Sequence, residues 1–454
     1  FPGEIANTYY NFPLPAGVAT GAIGLVEPGV GTALPGDNAG AGFQAAIDAY
    51  RAAAGIATSA NVTLVAPGGQ AYPTVTPPAF NPAGERSLDV GVVTSINPQS
   101  PLIIYAGAGP QTNAYTAYQA AFWDTANNPA VITSSFGYSP QTAPGSPFYN
   151  ASRELFVDAA LRNISVFNDN GDGGSGNQTG NGVTNVSTSR ASPYAVMVGG
   201  TSLSTVGSAQ ADATLGTIVN NALGGDLATI WSLISGGLKT SPVDASGSAA
   251  TLIETIWNRY YVDGTTIANP GGTGYIHNNT GSGGVDPSQP APWYQTAYGL
   301  VPVTSDPSLL PGRGTPDVSA NAGGNMLYKV PGADMTGLQN DDGTSAATPL
   351  WAAFASQVNA IFADQNLPQL GYMNDLLYIA AAIKPASFND ITTGNNTSSF
   401  VLGGNYTSDG QQITPTGYGY SAGPGYDLVS GLGTPNGTLL ARALTEIAHH
   451  QTSY

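Results

Sequence analysis

Residues 102–134 read LIIYAGAGPQTNAYTAYQAAFWDTANNPAVITS: two short apolar runs on either side of a longer amphipathic stretch. Leu102–Ala106 and Ala130–Ser134 have the length and the β-branched content of buried strands, and Ala114–Thr125 between them carries apolar residues at helical spacing. A strand, a helical crossover and a second strand make a parallel pair, because a tight turn cannot join parallel neighbours. The rhythm spreads outward from there. Upstream, Ala22–Glu27 and Val62–Ala66 read as strands and Gly42–Ala54 and Glu85–Ile96 as helices. Downstream, Ser152–Arg162 is helical and Ile164–Phe167 is a strand. The expected fold is α/β, a mostly parallel central sheet with helices on both faces. In such a sheet the residues that handle a ligand belong at the carboxyl ends of strands.

From Ser202 to Gly283 the rhythm breaks. Leu215–Ile234 and Leu252–Tyr261 look helical, but Gly/Ser/Thr/Pro-rich stretches surround them and no strand alternation continues. This span, 202–283, reads as an insertion or an elaborated loop region within a single domain covering 1–454; a small separate domain is the alternative. No internal repeat or long charge run is evident.

Only 9% of the residues are charged, with 11 Lys+Arg against 28 Asp+Glu and a formal charge of −17. So few basic groups exclude a phosphate-binding surface, and hence a nucleic-acid partner. They also leave little positive self-repulsion once carboxylates protonate, which suits exposure to acid. Cysteine is absent, so disulfides and thiolate chemistry are excluded. The sequons at Asn61, Asn150, Asn163 and Asn177 point to a secreted glycoprotein. No apolar run approaches the ~18 residues of a membrane span. A chain starting at Phe1-Pro2 reads as a processed form. The expected protein is a monomer with no membrane partner.

Four segments can carry chemistry. Asp342-Gly343-Thr344-Ser345-Ala346-Ala347-Thr348-Pro349 opens an apolar helix, with Pro349 read as first-turn and Leu350, Phe354, Val358 and Ile361 on one face. A serine there meets unpaired N–H groups and the positive end of the helix dipole; a plain helix cap is the alternative. Serine needs a base, and the chain has only His277, His449 and His450, two of them near its C-terminal end. Glu85 and Asp89 share one helix face at i,i+4, where each raises the other's pKa and suits one of them to accept a proton; a solvated acidic face is the alternative. Asp172 lies in Asn168-Asp169-Asn170-Gly171-Asp172-Gly173-Gly174, just past a strand. An EF-hand register fails there, since the twelfth position is Thr179. A polar loop, or a carboxylic acid kept protonated to stabilise an oxyanion, remains open. Finally, Phe388-Asn389-Asp390-Ile391-Thr392 and Gly423-Pro424-Gly425-Tyr426-Asp427 supply oxygen ligands of the kind calcium prefers, although such turns also occur without metal.

Taken together and in this order, these segments resemble the sedolisin family of serine-carboxyl peptidases. The matching stretches are Gly84-Glu85-x-x-Leu88-Asp89, Ile164-Ser165-Val166 through Gly171-Asp172-Gly173, Ser192-Pro193-Tyr194 with Gly199-Gly200-Thr201, and Arg313-Gly314-x-Pro316-Asp317-Val318. Gly343-Thr344-Ser345-Ala346-x-x-Pro349 and Gly423-Pro424-Gly425-Tyr426-Asp427-x-x-x-Gly431-Leu432-Gly433 complete the set. The resemblance implies a subtilisin-like fold made as a zymogen, with Ser345 as nucleophile, Glu85 as general base, Asp89 orienting Glu85 and Asp172 as oxyanion donor. It implies one calcium ion in the 385–435 region, held by Asp390 and Asp427 with the carbonyls of Ile391, Gly423 and Gly425. The substrates would be proteins or peptides cut at acid pH, internally rather than by removal of tripeptides. The chain departs from the family pattern at Asp342, where Gly or Ser is usual. Phe136 stands where some relatives carry Trp in a network with an extra glutamate, which aligns with Glu27 as a supporting carboxyl. A non-catalytic calcium-binding surface protein of the same fold is the runner-up, and a glycosidase, which also needs paired carboxylates, is the third reading.

Overall fold

The computed structural model describes residues 1–28, 41–57, 60–66, 70–71, 84–107, 113–137, 143–240, 251–268 and 279–452. His277 lies outside them.

A ten-stranded sheet forms the centre. Its order is Gln70–Ala71, Val62–Ala66, Leu102–Tyr105, Ile23–Val26, Val131–Ser134, Ser165–Asp169, Val196–Thr205, Thr251–Ile256 and Leu238–Thr240, and Val318–Gly323 pairs alongside Val196–Thr205. The strands from Val62–Ala66 through Val196–Thr205 run parallel, as does Val318–Gly323. Alternate side chains of one strand serve opposite layers. Ile103 and Tyr105 pack with the helices Asn113–Phe122 and Pro147–Leu161, while Leu102 and Ile104 pack with Phe43 and Ile47 of Ala41–Ala53 and with Val90 and Val93 of Gly84–Ile96. Both faces of the sheet are therefore covered by helices, and its strands read as continuous apolar runs for that reason.

Three differences from the sequence reading stand out. Leu252–Tyr261 is not helical: Thr251–Ile256 is a strand antiparallel to Thr201–Thr205. Leu252 through Ile256 are all buried, on both sides of the strand, so the alternation that marks a half-exposed strand is missing. Leu215–Ile234 is two helices, Gly216–Leu223 and Leu227–Ser232, interrupted at Gly224-Gly225, with Asp226 capping the second through Thr229 N–H. The 202–283 span thus continues the strand pattern and extends one edge of the main sheet. Pro349, finally, is inside the helix Thr344–Asp364 rather than in its first turn, and Thr344 through Val358 is buried all round rather than on one face.

Register decides where chemistry can sit. Val26 is level with Ser134, and Ser134 with Asn168. The next residue of each strand run, Glu27, Ser135 and Asp169, therefore lies in one row at the carboxyl edge of three neighbouring strands.

Candidate active site

Glu85 enters at the first turn of Gly84–Ile96, and Asp89 follows one turn later on the same face. That helix packs against Thr344–Asp364 through Leu88, Val92 and Ile96, so its acidic face turns to the row of strand ends instead of to solvent. Ser345 is at the second position of its helix, 6% exposed. Glu85, Ser135, Asp169, Asp172, Arg190 and Ser345 line one cavity of about 350 Å³. The structure therefore brings Ser345, Glu85 and Asp172 together, with Asp89 and Glu27 buried behind Glu85.

The carboxyl groups of this row are held away from their usual range. Burial pushes Glu85 up to about 8, with Asp169 and Asp172 adding repulsion; Ser345 and Arg190 pull the other way. Burial also pushes Asp89 well above the carboxylate range, helped by the nearby Glu27 and Glu85 and opposed by Ser135. Ser135 Oγ lies 3.0 Å from Asp89 Oδ1, whereas Asp89 Oδ2 is buried with no partner. Glu27 is fully buried, and burial with repulsion from Glu85 takes it to about 8, against the pull of Arg86 and a hydrogen bond with Asp89. The sequence suggested an acid window in which Glu85 is ionised and Asp172 protonated. Burial does not produce that arrangement in the resting protein. Glu85, Asp89 and Glu27 titrate as a group that gives up its protons one at a time.

Asp172 is placed by the mouth of the same helix. Its Oδ1 accepts from Thr344 N–H at 2.8 Å and from Thr344 Oγ1 at 2.6 Å. Burial still wins over these bonds and raises its pKa. Gly343 must be glycine: its φ is +117°, and a Cβ there would lie 3.0 Å from Asp172 Oδ2. Asp342 is raised to about 6 by burial and by Asp172, and stands 3.7 Å from Arg259.

Pro349 shapes the nucleophile's own turn. Lacking an N–H, it leaves the Ser345 carbonyl without its usual i+4 donor, and Ser135 Oγ lies 3.4 Å from that oxygen. Ser135 therefore stands between the Ser345 backbone and Asp89. Ser135, Asp169 and Arg190 escaped the sequence reading as functional candidates. Arg190 carried the clearer signal, being one of few basic residues and standing two positions before Ser192-Pro193-Tyr194.

Neither histidine among the described residues lies at this cavity. His449 and His450 lie in the last turn of Gly437–Thr452, where a ring nitrogen of His449 lies 2.8 Å from Gln365 Oε1.

Phe388–Asn389 pairs with Thr434–Pro435 and brings Asp390 beside the 423–427 turn. Asp390 Oδ2 accepts from Gly425 N–H at 2.8 Å, but Oδ1 is buried with no partner. Asp427 accepts from the N–H groups of Gly423, Val429 and Ser430, and burial lifts its carboxyl to about 6. Two half-buried carboxyls, one with an orphaned buried oxygen, fit a hard cation such as calcium. No cluster of three or more His, Cys, Asp or Glu suited to a metal occurs among the described residues, so backbone carbonyls would have to complete the set.

No protein-family model matches the chain. Kumamolisin from Bacillus sp. (strain MN-32) is 29% identical over 397 residues, 87% of this chain and 56% of kumamolisin. The chain is therefore similar to peptidases of the sedolisin kind. Other relatives match over shorter spans. Physarolisin from Physarum polycephalum is 39% identical over 27% of the chain and 18% of its own length. Tripeptidyl-peptidase 1 from Canis lupus familiaris is 32% identical over 40% of the chain and 31% of its own. The chain thus spans little more than half the length of the curated relatives it matches. Among solved structures, Pseudomonas sedolisin, a serine-carboxyl proteinase complexed with pseudo-iodotyrostatin, superposes with a TM-score of 0.66 at 20% identity, covering 100% of this chain and 97% of that one. The chain thus has the subtilisin-like α/β fold of that structure.

Proposed function

We propose that the protein is an acid-active serine-carboxyl peptidase that hydrolyses peptide bonds through an acyl-enzyme on Ser345. The observation that carries this reading is the shared cavity of Ser345, Glu85 and Asp172, with Asp89 and Glu27 buried behind Glu85. Glu85 accepts the serine proton as Ser345 attacks the carbonyl carbon. Of the three linked carboxyls it is the one best placed to hold the charge, because Ser345 and Arg190 both favour its ionised form. Asp89 and Glu27 hold the neighbouring protons and orient it. Asp172, anchored through Oδ1 to Thr344, offers a proton on Oδ2 to the developing oxyanion. Glu85 then returns its proton to the leaving amine, and water releases the acid by the reverse route. Protein and peptide substrates follow, cut internally in preference to tripeptide removal, since the match to a tripeptidyl-peptidase covers the smaller part of the chain. A secreted, glycosylated monomer, matured from a proenzyme, is the accompanying expectation.

Asp390 and Asp427, with the carbonyls of Ile391, Gly423 and Gly425, would hold one calcium ion whose contribution is structural. It would tie the 423–427 turn to the strand that ends at Asn389. Chelator should then lower the melting temperature by several degrees relative to excess calcium, because a ligand bound only by the native state stabilises it. Identical melting curves would rule the site out.

The deciding experiment is hydrolysis of denatured protein and of a peptide library from pH 2 to 7. Wild type should be active and most so in acid, and Ser345→Ala should lose ~10⁴-fold or more in kcat/KM. Unchanged activity in Ser345→Ala would overturn the assignment.

A further inference from the structure

Arg190 reaches the cavity that holds Ser345, yet no step above needs its side chain to touch substrate. Its backbone is fixed on both sides. Its N–H donates to the Ser187 carbonyl at 3.2 Å, and its own carbonyl accepts from Ser192 N–H at 2.8 Å and from Asn168 Nδ2 at 3.2 Å. Gly137 leaves room for the side chain, since a Cβ there would lie 2.6 Å from Arg190 Nε. One terminal nitrogen, Nη1, pairs with Asp169. Nε is buried without a partner, and so is Asp169 Oδ1. A guanidinium has five N–H donors in a rigid fork, and one of them is engaged here by Asp169. The surrounding wall is polar, with Asn177, Gln178, Ser187 and Ser189 alongside Arg190. Most binding pockets are lined chiefly by apolar groups, so this one is a poor receptacle for a large apolar side chain.

We propose that Arg190 is a specificity-determining residue that receives a carboxylate side chain, so that the protein favours Asp or Glu next to the scissile bond. This rests on the peptidase reading of Ser345. A residue whose carbonyl sits at Ser345 must direct its side chain along this cavity, and a carboxylate is the group whose two oxygens match the guanidinium fork. The cavity's own carboxyls, Glu85, Asp169 and Asp172, would repel such a guest if they were ionised. Burial raises all three. Their repulsion therefore weakens as the pH falls into mild acid, while a side chain arriving from water is still ionised above ~4.3. Arg190 is then the charge the guest meets.

The test uses hexapeptides with free amino termini, identical except for Glu, Gln or Leu at position 3, at pH 5.5. Tripeptide removal cuts after this position, and product masses identify the peptides that internal cleavage cuts there. Two quantities are read: kcat/KM for the wild type, and Kd by calorimetry for Ser345→Ala. Glu is expected to beat Gln by ~10-fold in both, because a charge-assisted bond is about twice as strong as a neutral one. The paired variant Arg190→Gln/Asp169→Asn, which leaves no buried carboxylate unmatched, should bring the ratio to ~1. Gly137→Ala, which crowds the guanidinium out of its place, should reduce the ratio in the same direction. A wild-type ratio near 1, or a ratio that survives both variants, overturns the proposal. Selective binding without turnover would instead count against the peptidase reading alone.

Discussion

Asp172 presents two unlike oxygens. Oδ1 takes both hydrogen bonds from Thr344, and Oδ2 faces the space above Gly343. An asparagine would keep the Oδ1 bonds and still donate from its amide nitrogen, but it cannot ionise. Asp172→Asn should therefore lose only ~10-fold in kcat/KM at pH 4, whereas Asp172→Ala should lose ~10²- to 10³-fold, the usual cost of an oxyanion donor. In the wild type, activity should fall as rising pH strips the Asp172 proton; in Asp172→Asn that limb should vanish. If the Asn variant is as inactive as the Ala variant, and the limb persists, Asp172 is not the donor. At this scale the sequence was readable where a motif pins a residue. Ser345, Glu85 and Asp172 could be named because glycines or a fixed helix spacing surround them. Ser135 and Arg190 could not, because strand register and loop folding bring them in, and neither leaves a local pattern.

Elements built from one uninterrupted period were legible, and those shaped by partners were not. Leu102–Tyr105 and Gly84–Ile96 fall where their patterns put them. Thr251–Ile256 was misread because both of its sides are covered, one of them around Glu254. This carboxylate is fully buried, and its oxygens accept from Tyr10 Oη and Thr201 Oγ1 at 2.7 Å and from Thr434 Oγ1 at 3.1 Å. It joins the amino-terminal segment, a central strand and the Thr434–Pro435 strand. Glu254→Ala would leave three buried hydroxyls without this acceptor, at a cost of ~1 kcal/mol or more each. Urea unfolding should show a loss of ~3 kcal/mol, with much of it recovered in Glu254→Gln, which keeps an acceptor oxygen. A change within ~0.5 kcal/mol in Glu254→Ala would mean that the strand is a dispensable decoration of the sheet edge.

For the molecule as a whole, the acid row and the scarcity of bases act in the same direction. Glu27 and Glu85 are raised to about 8, and Asp169, Asp342 and Asp427 to about 6, chiefly by burial. In the unfolded chain each would titrate near 4. Between those values the unfolded state binds fewer protons than the native state, so unfolding becomes easier as pH rises. The stability these protons supply is fully present below pH ~4 and is lost as pH climbs towards 8. Raising the pH also brings the formal charge towards −17, which adds self-repulsion. The sequence showed only the second part, since composition counts charges and says nothing of which carboxyls are buried. The melting temperature, measured in chelator to keep metal out of the comparison, should be highest near pH 4 and fall by more than ~5 °C by pH 8. Glu27→Gln, which removes a buried ionisable group, should flatten that fall between pH 6 and 8. A melting temperature that is level or rises over this range would show that the row is ionised in the native state, and with it the case for an acid-adapted site would be lost.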